Sequence, residues 1–147
     1  MQQSADECVL CWLATSSRDG EPNVSPKEIF AHFEGREIII ANIASPRTIT
    51  NLRHNPRVCC SFVHIFTQKG FQLHGNGEVL HDDSPDYAAR AAKLESMAGE
   101  AFPFDTIIRM TVDRVKPILA PRYVMYPETT EQQQIDAAMT SYGVRPI

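Results

Sequence analysis

The stretch "NIASPRTITNLRHNP", residues 42 to 56, holds the residue types with the clearest chemistry. Ser45, Pro46, Arg47 and Thr48 fall together where a strand gives way to a short helix. The first four N–H groups of a helix have no partner inside it. Ser45 suits the N-cap, and Pro46 suits the first helical position, where a missing N–H costs nothing. The N–H groups of Arg47 and Thr48 then point outward, and the helix dipole favours an anion there. Arg47 adds a charged fork matched to phosphate oxygens, and Thr48 adds a hydroxyl. Together these groups can hold a phosphate monoester. The same residues also make an ordinary helix opening with a solvated arginine, so they do not decide alone. Arg53 and Arg57 read as solvated, and Asn55-Pro56 stops the helix.

A second feature lies upstream in "PNVSPKEIF". Pro26 cannot donate to a strand ladder, so it belongs at an edge or a bulge. Val24 and Pro26 share one face, but Ile29 and Phe30 occupy both, so the alternation slips. A bulged strand leaves backbone N–H and C=O groups free for the polar edge of a flat heterocycle. An ordinary edge strand is the other reading.

These residues need elements to position them. "VLCWLAT" is an apolar strand, and Asp19-Gly20 after it signals a hairpin. "NVSPKEIFAHF" is the second strand, with Gly35 in the turn behind it. "EIIIAN" is the third, and its Ile38-Ile39-Ile40 run predicts burial on both faces. "RVCCSFVHIF", "FQLHGNGEVLH" and "TIIRMTVDRVKPILA" follow as the fourth to sixth strands. Gly75 and Gly77 mark a bend or a close backbone approach. "SPDYAARAAKLESMA", residues 84–98, is an amphipathic helix with Ser84 as N-cap and Pro85 at its first position. A last helix spans 129–141, capped by Thr129 or Thr130. Six strands with few helices predict a mainly β fold, a six-stranded antiparallel barrel, closed or nearly so.

Composition limits the partners. The chain has 147 residues, a length that fits one domain, 1–147, with no linker or repeat. Its formal net charge of −4 argues against nucleic acid or an anionic membrane surface. No apolar run approaches the roughly 18 residues of a spanning helix. The N-terminal sequence lacks the pattern of a signal peptide, so a soluble, cytoplasmic protein is expected. Cys8 and Cys11 have C-x-x-C spacing but diverge along a strand, as do Cys59 and Cys60. The four read as small buried hydrophobes, and no metal is expected. The five histidines are scattered; His64 and His74 lie on adjacent strands and could approach one another. Arg122, Tyr123 and Tyr126 either line a cleft or pack on the barrel, and packing is favoured.

The ordered set "LAT", "DGEPNVSP", "IIIANIASPRTITNLRHNPRVCCSF" and "GFQLHGNGEV" resembles the pyridoxamine 5′-phosphate oxidase-like proteins, the FMN-binding split barrels. The likeness runs from residue 9 to about 81, and loosely through the sixth strand. It implies a homodimer with FMN at the subunit interface. It places Asn23, Val24, Ser25, Pro26 and Lys27 beside the isoalloxazine, and Ala41, Asn42 and Ile43 at the same ring. It gives the phosphate to Ser45 and Arg47, with Thr48 in support, since Pro46 replaces a usual basic residue. Lys27 is also the candidate cation near flavin N1 and O2.

Two departures separate the chain from the oxidase itself. Phe30 stands where the oxidase has a basic residue for the substrate's phosphate, and the tail lacks its tryptophan-and-arginine segment. The expectation is therefore a flavin-dependent oxidoreductase acting on an unidentified small molecule. A non-catalytic flavin-binding module, or a haem- or deazaflavin-binding protein on the same barrel, are the alternatives.

Overall fold

The computed structural model describes residues 8–145. Its strands are β1 (Cys11–Ser16), β2 (Pro22–Lys27), β3 (Phe30–His32), β4 (Glu37–Ala41), β5 (Arg57–His64), β6 (Lys69–His81) and β7 (Thr106–Leu119). Its helices are α1 (Pro46–His54), α2 (Tyr87–Ala98), α3 (Pro121–Met125) and α4 (Glu131–Tyr142). Among the described residues no helix is long and apolar enough to cross a membrane.

All seven strands form one antiparallel sheet in the order β2-β1-β5-β6-β7-β4-β3. The two edge strands, β2 and β3, are consecutive in the chain with only Glu28 and Ile29 between them. Lys27 and Phe30 are three residue steps apart, so the two strand ends lie within about 11 Å of each other. The sheet must therefore curl until its edges nearly meet, which makes a mainly β split barrel. The sequence reads 23–33 as one strand, so it expects six. In the structure that segment pairs first with β1, up to Lys27 opposite Cys11, and then with β4, from Phe30 opposite Ile40. The break at Glu28 gives the seventh strand. Of the two readings of Pro26, edge or bulge, the structure shows the edge: β2 is an edge strand and pairs with β1 in unbroken register from Pro22 to Lys27. An edge strand has a free side, and Pro26 is tolerated there.

The core has two compartments. Inside the barrel, Leu13, Phe30, Ile38, Ile40, Phe62, Leu73, Ile108 and Met110 pack together, with Leu52 of α1 against them. On the outside of β4 and β7, Ile39, Ala41 and Ile107 meet Ala91 and Leu94 of α2. The isoleucine run at 38–40 thus supplies both compartments from one strand, as burial on both faces requires. Arg90 and Glu37 form a largely buried ion pair that ties α2 to β4, with Nη2 to Oε2 at 2.8 Å.

α2 begins at Tyr87, two residues later than the sequence pattern suggests. Asp86 occupies the N-cap in helical conformation without a side-chain cap bond, because its carboxylate is held by Arg109 of β7 at 2.6 Å. Thr130 does cap α4, in a capping box with Gln133. Gly75 lies at a register shift in the β6–β7 ladder. A Cβ there would sit 2.0 Å from the Thr111 carbonyl oxygen, so only glycine allows the two strands to approach this closely.

Candidate functional site

α1 is docked on the β1–β2 hairpin by polar pairs. The Asn51 side chain donates to Thr15 Oγ1 at 3.0 Å, and Asn55 donates to Ser16 Oγ at 2.7 Å. Asn23 donates to the same Thr15 oxygen at 3.3 Å, and Ser25 and Thr48 share a hydroxyl hydrogen bond of 3.3 Å. Thr48 is only 1% exposed. Of the residues assigned to a cofactor from sequence, Asn23, Ser25 and Thr48 are thus engaged in holding the helix against the sheet. Val24 and Pro26 point to the outer face of β2, because strand residues alternate.

The opening turn of α1 is chemically unfinished. Ser45 sits at the N-cap, but its hydroxyl makes no cap bond. Ser45 Oγ instead donates to the Ile43 carbonyl at 3.1 Å and accepts a hydrogen bond from the Lys27 amine. Ala44 before it adopts a positive φ of 49°, which turns the chain from β4 into the helix. Arg47 is exposed and lies 3.6 Å from Glu21 on the β1–β2 loop.

Lys27 comes to this turn from below. It is the last residue of β2, faces inward opposite Cys11, and is 5% exposed. No ion pair to Lys27 is found among the described residues. Burial holds the amine below its usual pKa. Cys11 itself is held far above the usual thiol range by its hydrogen bond to Cys60 and by burial, so it remains a neutral neighbour.

Beside this turn opens a cleft of about 580 Å³. Pro26, Lys27, Glu28, Ile29, Phe30, Ala41 and Ile43 line it from the strands and the turn after β4. Cys8 and Val9 before β1, and Met97 and Phe102 at and beyond the end of α2, complete it. Asn42, next to it in the chain, donates to Thr106 Oγ1 at 2.8 Å, while its Oδ1 is buried with no hydrogen-bond partner. The structure therefore gathers Lys27, Ala41, Ile43 and Ser45 around one place, where an apolar cleft meets an uncapped helix start. The sequence misses the walls supplied by Cys8, Val9, Met97 and Phe102. Nothing in their local pattern links positions so far apart in the chain.

Several other candidates lie elsewhere. Tyr123 donates its hydroxyl to the Thr67 carbonyl at 2.9 Å and lies under the Lys69 amine, so it packs on the barrel. Arg122 and Tyr126 border a shallow depression with Glu128, away from the cleft. His64 and His74 do not approach: on the β5–β6 ladder His64 is opposite Lys69 and His74 is opposite Cys59. Among the described residues no group of three or more metal-ligating side chains converges.

A curled antiparallel sheet with its edge strands joined across two residues and a helix closing one rim is the split-barrel class of fold. The family model for pyridoxamine 5′-phosphate oxidase matches residues 1–119, and the chain belongs to that family. Solved structures carry the same fold at low identity. An FMN-binding protein from Syntrophomonas wolfei superposes with a TM-score of 0.66 at 15% identity, covering 79% of this chain and 81% of that one. HutZ, the haem storage protein of Vibrio cholerae, gives 0.63 at 19%, covering 78% and 87%. HupZ of Group A Streptococcus gives 0.65 at 19%, covering 78% and 90%. No curated protein matches the chain in sequence.

Proposed function

We propose that this protein binds FMN, as a homodimer with the cofactor at the subunit interface. On this reading it is a flavin-dependent oxidoreductase for a small molecule, related to pyridoxamine 5′-phosphate oxidase but not that enzyme. The observation that carries the reading is Lys27. A buried amine with no carboxylate partner is costly unless an anion joins it. It stands at a helix start whose own cap residue has turned away. That is where a phosphate monoester gains most, from the amine, the Ser45 hydroxyl and the free N–H groups of the first turn. Lys27 thus supplies from β2 the positive charge that Pro46 fails to supply from α1.

The remaining residues fit a flavin. Ala41, Ile43 and Pro26 offer an apolar bed beside the phosphate end. Asn42, between Ala41 and Ile43 in the chain, holds a buried Oδ1 with no hydrogen-bond partner. When bound, FMN supplies hydride acceptance and return, which the side chains of this site cannot provide themselves. No histidine lines the cleft, which weighs against haem at this place.

An absorbance spectrum of the purified protein is the first test. Bands near those of free FMN are expected, and a Soret band would overturn the assignment. Arg47→Ala provides a finer one. Arg47 is exposed, so its loss should weaken FMN by about 1 kcal/mol, or about fivefold, and leave riboflavin unchanged. Titration of both ligands against both proteins measures this. Equal losses for the two would remove Arg47 from the phosphate site.

The dimer has its own support. Trp12 and Val24 lie on the outer face of adjacent strands, 47% and 56% exposed. Sedimentation should give a species near twice the 16.5 kDa chain mass. Trp12→Glu should shift it toward monomer and lower FMN occupancy together. A monomer with full FMN occupancy would refute an interfacial cofactor.

A further inference from the structure

The lining of the cleft divides by chemistry. Among its described residues, Lys27 is the one basic and Glu28 the one acidic side chain. On the FMN reading the Lys27 amine, bonded to Ser45 at the helix start, is taken by the cofactor's phosphate. Glu28 is exposed in the two-residue link between β2 and β3 and brings negative charge to the cleft. Phe30 adds an apolar ring from the barrel core. A second anion entering here would lose its hydration and meet a carboxylate, with no free cation to receive it.

The far part of the cleft is apolar and uncovered. Met97 and Phe102 are 49% and 51% exposed, and neither joins either compartment of the core. Gly99, with φ 60°, ends α2 and turns the chain, and Phe102 three residues later lines the cleft with Met97. A phenyl ring and a thioether left open together favour a flat ring laid against them.

We propose that the cleft takes an uncharged, flat, apolar molecule and turns anions away, with Met97 and Phe102 as the residues that select it. The proposal rests on the FMN reading for the phosphate that neutralises Lys27 and for what lies beside that molecule. It names the substrate class of the same site: a neutral aromatic or conjugated ring compound rather than a phosphorylated one.

Naphthalene-2-carboxamide and naphthalene-2-carboxylate have nearly the same shape and differ in charge. Calorimetry on the FMN-loaded protein should find the amide bound at least about tenfold more tightly than the carboxylate. The amide should also perturb the flavin absorbance. Phe102→Ala should weaken the amide by about tenfold, as expected for losing a buried ring. Its FMN affinity and melting temperature should stay close to those of the parent. Glu28→Gln should narrow the gap between the two probes by raising carboxylate binding. A carboxylate that binds as well as the amide, an amide indifferent to Phe102, or no binding of either probe would each overturn the proposal. If the chain fails to take up FMN, the same calorimetry on the unliganded protein separates the two ideas. Amide binding that depends on Phe102 would then support the apolar site while the flavin reading falls.

Discussion

Replacing Lys27 by methionine should lower FMN affinity by about 30- to 1,000-fold, the equivalent of about 2–4 kcal/mol for one side of a desolvated charge pair. The same substitution should raise the melting temperature of the unliganded protein. Both follow from one fact: the amine is buried with no carboxylate beside it. Without ligand that charge is a desolvation cost, and methionine removes it while keeping the volume of the stem. With ligand the same charge faces a phosphate, and its loss is felt in full. Riboflavin, which lacks the phosphate, should bind the variant and the parent alike. A lysine that only packs would give the opposite pattern, lower stability with unchanged FMN binding.

The pH dependence has a definite sign. Burial lowers the pKa of Lys27 below its usual 10.5. Between the lowered value and 10.5 the unfolded chain holds more protons than the folded one. The stability contribution of this group therefore rises with pH across that window, and the methionine variant should lack the rise. FMN binding runs the other way. The phosphate needs the charged amine, so affinity should fall as pH climbs through the lowered pKa. Parallel titrations of parent and variant from neutral to alkaline pH would expose either trend.

Like Gly70, where a Cβ would meet the Phe62 carbonyl oxygen at 2.0 Å, Gly75 leaves no room for a side chain, and Gly75→Ala should damage the fold severely. Its Cβ would meet the Thr111 carbonyl oxygen at 2.0 Å and the Thr111 carbonyl carbon at 2.9 Å. Backbone cannot move aside as a rotamer can, so the cost falls at the upper end of overpacking, about 3 kcal/mol or more. For a chain of this size that lowers the melting temperature by about 6–12 °C. Gly77→Ala is the control. Its Cβ would meet Leu52 Cδ2 at 2.9 Å and Val58 Cγ1 at 3.2 Å, both ends of side chains that can yield. Its loss should be less than about 1 kcal/mol, because alanine also reduces the freedom of the unfolded chain. Equal losses for the two would mean that the β6–β7 contact at Gly75 relaxes freely.

Local pattern determined much of this protein. The Asp19-Gly20 turn, the isoleucine run of β4 and the Ser45-Pro46 helix opening each follow from a few neighbouring residues. The order of elements was enough to indicate the split barrel and its family, and to place Lys27, Ala41, Ile43 and Ser45 in one neighbourhood. Alternation along β2 was legible too, but its partner was not. Whether Asn23 and Ser25 serve a ligand or a helix depends on Thr15 and Thr48 standing opposite them.

Only the tertiary structure decided the rest, because the deciding contacts join residues far apart in the chain. The second strand divides at Glu28 because its two halves find different partners, β1 and β4, and no feature of the segment itself records that. Ser45 looks like a cap in sequence, yet its hydroxyl is taken by the Ile43 carbonyl and the Lys27 amine, 18 residues upstream. Lys27 reads as a candidate cation in sequence, but its burial and its bond to Ser45 come only with the folding of the sheet. Met97 and Phe102 read as helix and loop residues until α2, anchored through Arg90 and Glu37, brings them to the cleft. A charge acquires its meaning from what desolvates it, and desolvation is set by the packing of the whole barrel rather than by neighbours in the chain.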